Sequence, residues 1–315
     1  MRQYVIRRLL LFFPTLILVS IIIFGLIRVV PGDAALAMLG ESDFSDEDLQ
    51  LAREYLGLDS PLHLQYINWI KGIVTADLGL SFQDQTPIGP EIVRRIPLTM
   101  ELAVLTMFFS LVLAVPIGVI SALKQDSWVD YAIRSFSVLG LTMPTFWVGT
   151  IVIMILSIFF DWIPALIFRN FWEDPTVNFT QLIFPALVLG FFANAVTARM
   201  TRAQMLEIMR FDYIRTARAK GLHEQQVIIR HALRNALLPV TTIAGLQFGA
   251  LLGGTVITET IFGLPGLGRL FVSSVFERDY PVLQTITLLF AGIFLALNLF
   301  IDLLYGWLDP RIRYQ

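Results

Sequence analysis

Six long apolar runs, separated by polar stretches of unequal length, organise this 315-residue chain. A span needs about 20 mainly apolar residues to cross roughly 30 Å of hydrocarbon. The runs at 9–30, 98–123, 135–160, 182–198, 237–258 and 282–307 each meet that length and predict a membrane span. Lipid offers the backbone no water to bond with, and the runs lack the two-residue alternation of a barrel, so the spans must be helices. The expected fold class is an all-α integral membrane protein with six transmembrane helices. Along the chain it divides into a first helix with its N-terminal tail (1–30), an external segment (31–97), a five-helix core (98–307) with a loop at 199–236, and a short tail (308–315).

The external segment is too long for a plain connector and should carry structure of its own. Ser45 and Asp48 read as a capping box opening a short helix, with Leu49, Ala52, Arg53 and Leu56 on one face and Gly57 at its end. A second short helix is expected from Ser60-Pro61. It carries Tyr66, Ile67, Trp69 and Ile70, a content suited to the membrane surface or to packing on the spans. Within the spans, Pro14, Pro116, Pro144 and Pro185 should bend helices. Gly245, Gly249 and Gly253, spaced by four, predict a helix-packing seam inside this subunit or against a partner. Glu101, Asn194, Asn298 and Asp302 are the polar side chains nearest to or inside the spans; Glu101 and Asp302 lie near span ends, where interfacial placement or helix–helix hydrogen bonding is expected, and Asn298 and Asp302 share a face that should point into the bundle.

Charge sets the orientation. The net charge is −2, yet placing the N-terminus in the cytoplasm puts 15 of the 23 lysines and arginines on that side. This is the positive-inside bias, and it places both termini in the cytoplasm. The charged start, apolar run and Ala35-Leu36-Ala37 could also be read as a cleaved signal peptide, but the run is longer than such peptides use, which favours an uncleaved first span. There is no cysteine, so disulfides, thiolate metal sites and thiol nucleophiles are excluded.

Catalytic patterns are missing. His223-Glu224 begins like a zinc-protease helix, but Val227 stands where the second histidine is required. The stretch GLPGLGRL from Gly263 lacks the Lys-Ser/Thr pair of a phosphate loop and reads as a turn. His63, His223 and His231 are too dispersed to favour a metal. No metal or cofactor is therefore expected on this chain. A polytopic membrane enzyme would need an intramembrane catalytic pair that these residues do not supply.

One polar, basic island interrupts the apolar pattern: DYIRTARAKGLHEQQVIIRHALRNALLP, from Asp212 to Pro239. Helices joined near Gly221 are predicted, with Tyr213, Ala217 and Lys220 along one face. Composition alone leaves open whether this is a lever for a docking partner or a solvated loop that meets anionic lipid.

The island, with YVIRRLLLFFPTL, YLGLDSPLHLQY, ADLGLSF, MPTFWVG, ETIFGLPGLGRL, RDYPV and DLLYGWLDPRIR, resembles the permease subunits of binding-protein-dependent ABC transporters, in the branch of peptide, nickel and glutathione importers. The likeness runs nearly end to end and implies a type I importer fold. By that resemblance Arg215, Thr216 and Ala217 occupy the Glu-Ala-Ala positions of the family's loop, and Gly221 is its glycine. Arg234 replaces a proline common in relatives, which implies a straighter helix after the loop. The resemblance assigns Asp212, Tyr213, Arg215, Thr216, Ala217, Arg218, Ala219, Lys220, Gly221 and Leu222 to a coupling loop that docks on a separate ATPase. It also implies a second permease, two ATPase subunits that hold ATP and Mg, an extracytoplasmic binding protein, residence in the inner membrane and no nucleic acid. Glu259, Phe262, Pro265, Gly266 and Arg269 are then candidate contacts for the binding protein. The resemblance implies di- or oligopeptides as the solute, with glutathione, a nickel chelate or an oligosaccharide as alternatives, and a transporter that works without ATPases is the alternative of a different class.

Overall fold

Hydropathy fixes where helices must exist, but not where they end. The computed structural model describes residues 2–29, 34–39, 44–164 and 167–308. Its helices run in the order α1 (Arg2–Val29), α2 (Ala34–Leu39), α3 (Asp46–Tyr55), α4 (Leu62–Val74), α5 (Ile88–Leu123), α6 (Trp128–Thr142), α7 (Thr145–Phe160) and α8 (Pro175–Ile208). Then come α9 (Asp212–Ala219), the single turn α10 (Glu224–Gln226), a π-helical segment (Val227–Leu233), α11 (Arg234–Ile261), α12 (Leu267–Phe276) and α13 (Tyr280–Leu308). Among the described residues five helices are long and apolar enough to cross a membrane, and the bent pair α6–α7 supplies a sixth crossing if counted as one.

That pair covers the span expected at 135–160, starts earlier at Trp128, and breaks where Pro144 was expected to bend it. The axes of α6 and α7 differ by 107°. Met143 is extended (φ −78°, ψ 128°) and Pro144 caps the next helix. Proline cannot donate to the preceding turn, and it forces the residue before it out of the helical region. Pro14 and Pro185, by contrast, lie inside continuous helices. Two other helices outrun their apolar stretches: α5 begins at Ile88 rather than near 98, and α8 continues to Ile208 rather than ending near 198. With 34 residues α8 is roughly 51 Å long, well beyond the hydrocarbon thickness.

The chain forms two compact units, Met1–Thr99 with Pro265–Gln315, and Met100–Leu264. These cut across the linear division read from the sequence. In the first unit, α1 packs along α13 and α12 along α13. The Ser45 cap is as expected: its hydroxyl accepts from the Asp48 N–H at 3.2 Å, and its own N–H donates to the Asp48 carboxylate at 2.9 Å. Those bonds from Ser45 lower the Asp48 pKa below its ordinary value. Gly57, at φ +63°, ends α3 in the left-handed conformation. Helix α4 lies against α1, with Tyr66 Oη 2.7 Å from Ser20 Oγ and the Tyr66 and Trp69 rings against Phe24. A second cluster joins Ile88 and Ile92 of α5 to Leu267, Val282 and Ile286. There the Leu267 N–H, at the start of α12, is accepted by Thr99 Oγ1 at 2.9 Å. The stretch read as a turn from Gly263 thus passes directly into a helix.

The second unit is built around α8, which packs against α6, α7 and α11. Small residues set the spacing. A methyl group at Gly118 would fall 2.6 Å from the Ala198 carbonyl oxygen, and one at Gly140 would fall 3.1 Å from Ala195 Cβ. Of the seam read on α11, Gly249 is buried, Gly245 half-buried and Gly253 exposed, so within this chain the row is packed only in part. The close approach to α8 is made by Gly254, where a methyl would meet Leu189 Cδ1 at 2.7 Å. The remaining buried positions of α11 (Ala236, Val240, Ala244, Leu251, Thr255 and Glu259 among them) explain the partial packing, because they follow a stripe beside the glycine row rather than along it.

Candidate functional site

The island builds a short helix on a hydrophobic footing at the end of α8. After Ile208 the chain turns through Met209–Phe211 and re-enters a helix at Asp212. Ile214 and Ala217, one turn apart, face inward and join Ala122, Met205, Ile208, Val227, Ala232 and Ala236 in one cluster. Ile214 is fully buried, and sinking a side chain of that size contributes about 1.5–3 kcal/mol to holding α9 in place. Val227 and Ala232 are five apart and Ala232 and Ala236 four apart. The π-helical winding of Val227–Leu233 brings the wider-spaced pair onto the same face.

The face expected from the sequence, Tyr213–Ala217–Lys220, needs correction. Ala217 is buried while Tyr213 and Lys220 are exposed, so the anchoring face is Ile214–Ala217. Of the ten residues assigned to the loop, Asp212, Tyr213, Arg215, Thr216, Arg218, Ala219, Lys220, Gly221 and Leu222 are all exposed, and Ala217 alone is buried. Tyr213 is nevertheless held: Asn235 Nδ2 donates to its hydroxyl at 3.0 Å and to the His231 carbonyl at 2.8 Å. Arg218 forms a two-pronged pair with Glu224 across the turn (3.0 and 2.6 Å), and that carboxylate raises the guanidinium above its usual pKa. Gly221 closes the helix at φ +77°, donating to the Arg218 carbonyl at 2.9 Å while the Leu222 N–H reaches the Ala217 carbonyl at 3.4 Å. A π-helical segment precedes Arg234, and the helix then runs without a break to Ile261.

Beneath this footing is an ion pair that the sequence did not single out. Asp130, fully buried near the start of α6, accepts Arg202 Nε at 2.8 Å and Nη2 at 2.6 Å, Ser121 Oγ at 2.5 Å and the Asp126 N–H at 3.1 Å. It ties the α5–α6 turn to α8 three residues before Met205. The signal available in the sequence was Ser127 three residues before Asp130, a cap opening an apolar helix, and Ser127 Oγ does accept the Asp130 N–H at 3.4 Å.

The other polar residues divide. Glu101 accepts Asn178 Nδ2 at 3.2 Å, a helix–helix bond between α5 and α8 of the kind expected. Asn194 Oδ1 is buried without a partner, Asn298 is half-buried, and the side chain of Asp302 lies outside the described residues, as does the tail from 309. Among the proposed binding-protein contacts, Pro265 and Arg269 are exposed. Glu259, Phe262 and Gly266 are buried, Phe262 packing on Trp162, which removes all three from any contact surface in this conformation. Among the described residues no group of three His, Asp or Glu could hold a metal ion.

Comparison with known proteins agrees with this architecture. Residues 114–314 match the model of the binding-protein-dependent transport system inner membrane component, and residues 1–103 match that family's N-terminal membrane component. The chain is 42% identical to the dipeptide transport system permease protein DppB of Escherichia coli K12 and 40% identical to the glutathione transport system permease protein GsiC of Escherichia coli O6:H1, each over the full length of both chains. A solved structure of the MetNI methionine ABC transporter in an inward-facing conformation aligns with a TM-score of 0.56 at 19% identity, over 69% of this chain and 96% of that one, and supports the fold alone. The chain belongs to the inner membrane component family of binding-protein-dependent transport systems.

Proposed function

We propose that this protein is the permease subunit of an ATP-driven importer of short peptides, and that α9 is where separate ATPase subunits act on it. The observation that carries the reading is α9 itself, a helix anchored by Ile214 and Ala217 with its polar residues turned outward. Polar backbone and arginines held outside the lipid on so firm a base suit a partner that pushes on them. The relatives named for dipeptide and glutathione transport favour a short peptide as the solute, since glutathione is itself a modified tripeptide.

On this reading the chain performs no reaction. ATP and Mg are held by two partner ATPases, a second permease completes the path, and an extracytoplasmic binding protein delivers the peptide. Movement of α9 would be passed to α8 through the shared cluster and to α11 through the π-helical segment, switching the spans between inward-open and outward-open states. Both termini face the cytoplasm. The test is uptake of radiolabelled dialanine into proteoliposomes. Uptake should require both ATPases and the binding protein, and uptake by this chain alone would refute the assignment.

A further inference from the structure

The first unit carries a polar cavity that the coupling role does not use. Arg28, in the last turn of α1, is exposed but tethered, its Nη1 donating to the Phe24 carbonyl at 3.4 Å. Its Nε and Nη2 both donate to Gln65 Oε1, at 3.1 and 2.9 Å, and its guanidinium carbon sits 3.5 Å from the centre of the Phe24 ring. Gln65 is fixed in turn, its Nε2 donating to the carbonyls of Leu58 at 3.0 Å and Ser60 at 2.8 Å. Among the described residues no carboxylate pairs with Arg28. The guanidinium borders a cavity of about 230 Å³ that Asn68, Trp69, Gln284 and Thr285 also line. Gln284 is only 7% exposed, and its Nε2 has no hydrogen-bond partner. An oriented cation and a buried glutamine whose N–H lacks a partner thus line one space, a pairing suited to an oxyanion.

An adjoining cavity of about 460 Å³ shares Leu56, Asn68, Trp69, Leu78, Pro281 and Thr285 with the first and adds Asp77. Asp77 forms no ion pair among the described residues. Arg28 borders one cavity and Asp77 the other, with an apolar and aromatic wall common to both. We propose that the two cavities form a subsite for a short zwitterionic peptide, its terminal carboxylate on Arg28 and the Gln284 amide and its ammonium toward Asp77. The two ends of an extended dipeptide lie roughly 7 Å apart, a separation suited to neighbouring cavities. The subsite rests on the reading of the chain as a peptide permease. It adds a place where the permease itself holds the solute by its termini.

The test uses the assembled transporter in phosphatidylcholine nanodiscs, without the binding protein, with dialanine as the probe and binding followed by saturation-transfer NMR. Dialanine should bind, and its C-terminal amide should bind about tenfold more weakly, the loss of one charge-assisted contact. Arg28→Gln should weaken dialanine to the level of the amide and leave the amide unchanged. Asp77→Asn should weaken dialanine but not N-acetyl-dialanine. Equal binding of dialanine and its amide to the unaltered complex overturns the proposal, and so does a phospholipid retained in native mass spectrometry and lost in Arg28→Gln without any dialanine response. If Arg28→Gln does not assemble, Gln284→Leu, which leaves the Arg28–Gln65 platform in place, carries the same expectation. Dialanine uptake by the complete system separates the two failures. Normal uptake with unchanged binding refutes the subsite alone, and no uptake refutes the peptide reading.

Discussion

Replacing Asp130 by leucine should loosen the base on which α9 stands. The carboxylate is fully buried and accepts four hydrogen bonds, two of them from Arg202, whose side chain is 20% exposed. Removing one member of a buried pair costs about 3–5 kcal/mol, because the other charge is left uncompensated. Arg202 can turn partly toward solvent, which places the expected loss near the lower bound, about 3 kcal/mol. Replacing Arg202 by methionine should cost a similar amount. The double variant leaves no stranded charge and should lose only about 1–2 kcal/mol, mainly from the Ser121 hydroxyl and the Asp126 N–H that no longer have an acceptor. The assay is an SDS denaturation series on the purified protein, read as a double-mutant cycle. A coupling of about 2 kcal/mol or more is expected. Additivity within about 0.5 kcal/mol, or single losses below that, would show that the pair does not brace the cluster. In the assembled transporter the single variants should insert normally but lose peptide-stimulated ATP hydrolysis.

Three further outcomes follow from the same geometry. Gly221→Val should weaken coupling through backbone strain rather than collision, since no atom lies within 4 Å of an added Cβ. The left-handed conformation costs an L-residue about 1–2 kcal/mol, and ATPase stimulation measured against Gly221→Asn, which tolerates that conformation, separates the two causes. Gly118→Ala should lower the apparent melting temperature by pushing α5 off α8, a cost of about 1–3 kcal/mol, because its methyl meets the Ala198 carbonyl and Thr201 Cβ at 2.6 Å. Gly253→Leu should leave the melting of the isolated chain unchanged, since Gly253 is exposed with open space around it. If that face receives the second permease, co-purification of the two subunits will fall, and unchanged co-purification would move the seam elsewhere.

What could be read in advance depended on how local the cause was. The Ser45–Asp48 box, the end of α3 at Gly57 and the turn at Gly221 were legible because each is fixed by residues a few positions apart. The apolar runs located the spans. They missed the start of α5 at Ile88 and the extension of α8 to Ile208, because hydropathy registers only the part of a helix that meets lipid. A bend at Pro144 was legible, but its size, 107°, was not, because apolar composition is the same on both sides. Asp130 and Arg202 are 72 positions apart, and the lining of the Arg28 cavity comes from α1, α4, α13 and the loops after α3 and α4, so neither could be paired by spacing. The glycine row of α11 did not reveal the close approach to α8 at Gly254, one position beyond Gly253, since four-residue spacing is common to that row and to the buried stripe next to it.

The winding of Val227–Leu233 bears on how the chain tolerates change in length. A stretch wound with more residues per turn holds surplus chain over a given height. Loss of one residue there can be absorbed by tightening to the ordinary pitch, leaving the orientation of α11 unaltered. The same deletion within α8 would rotate everything beyond it by about 100° and turn Ile214 away from its cluster. Length variation among related chains should therefore be admitted between α9 and α11 and refused along α8.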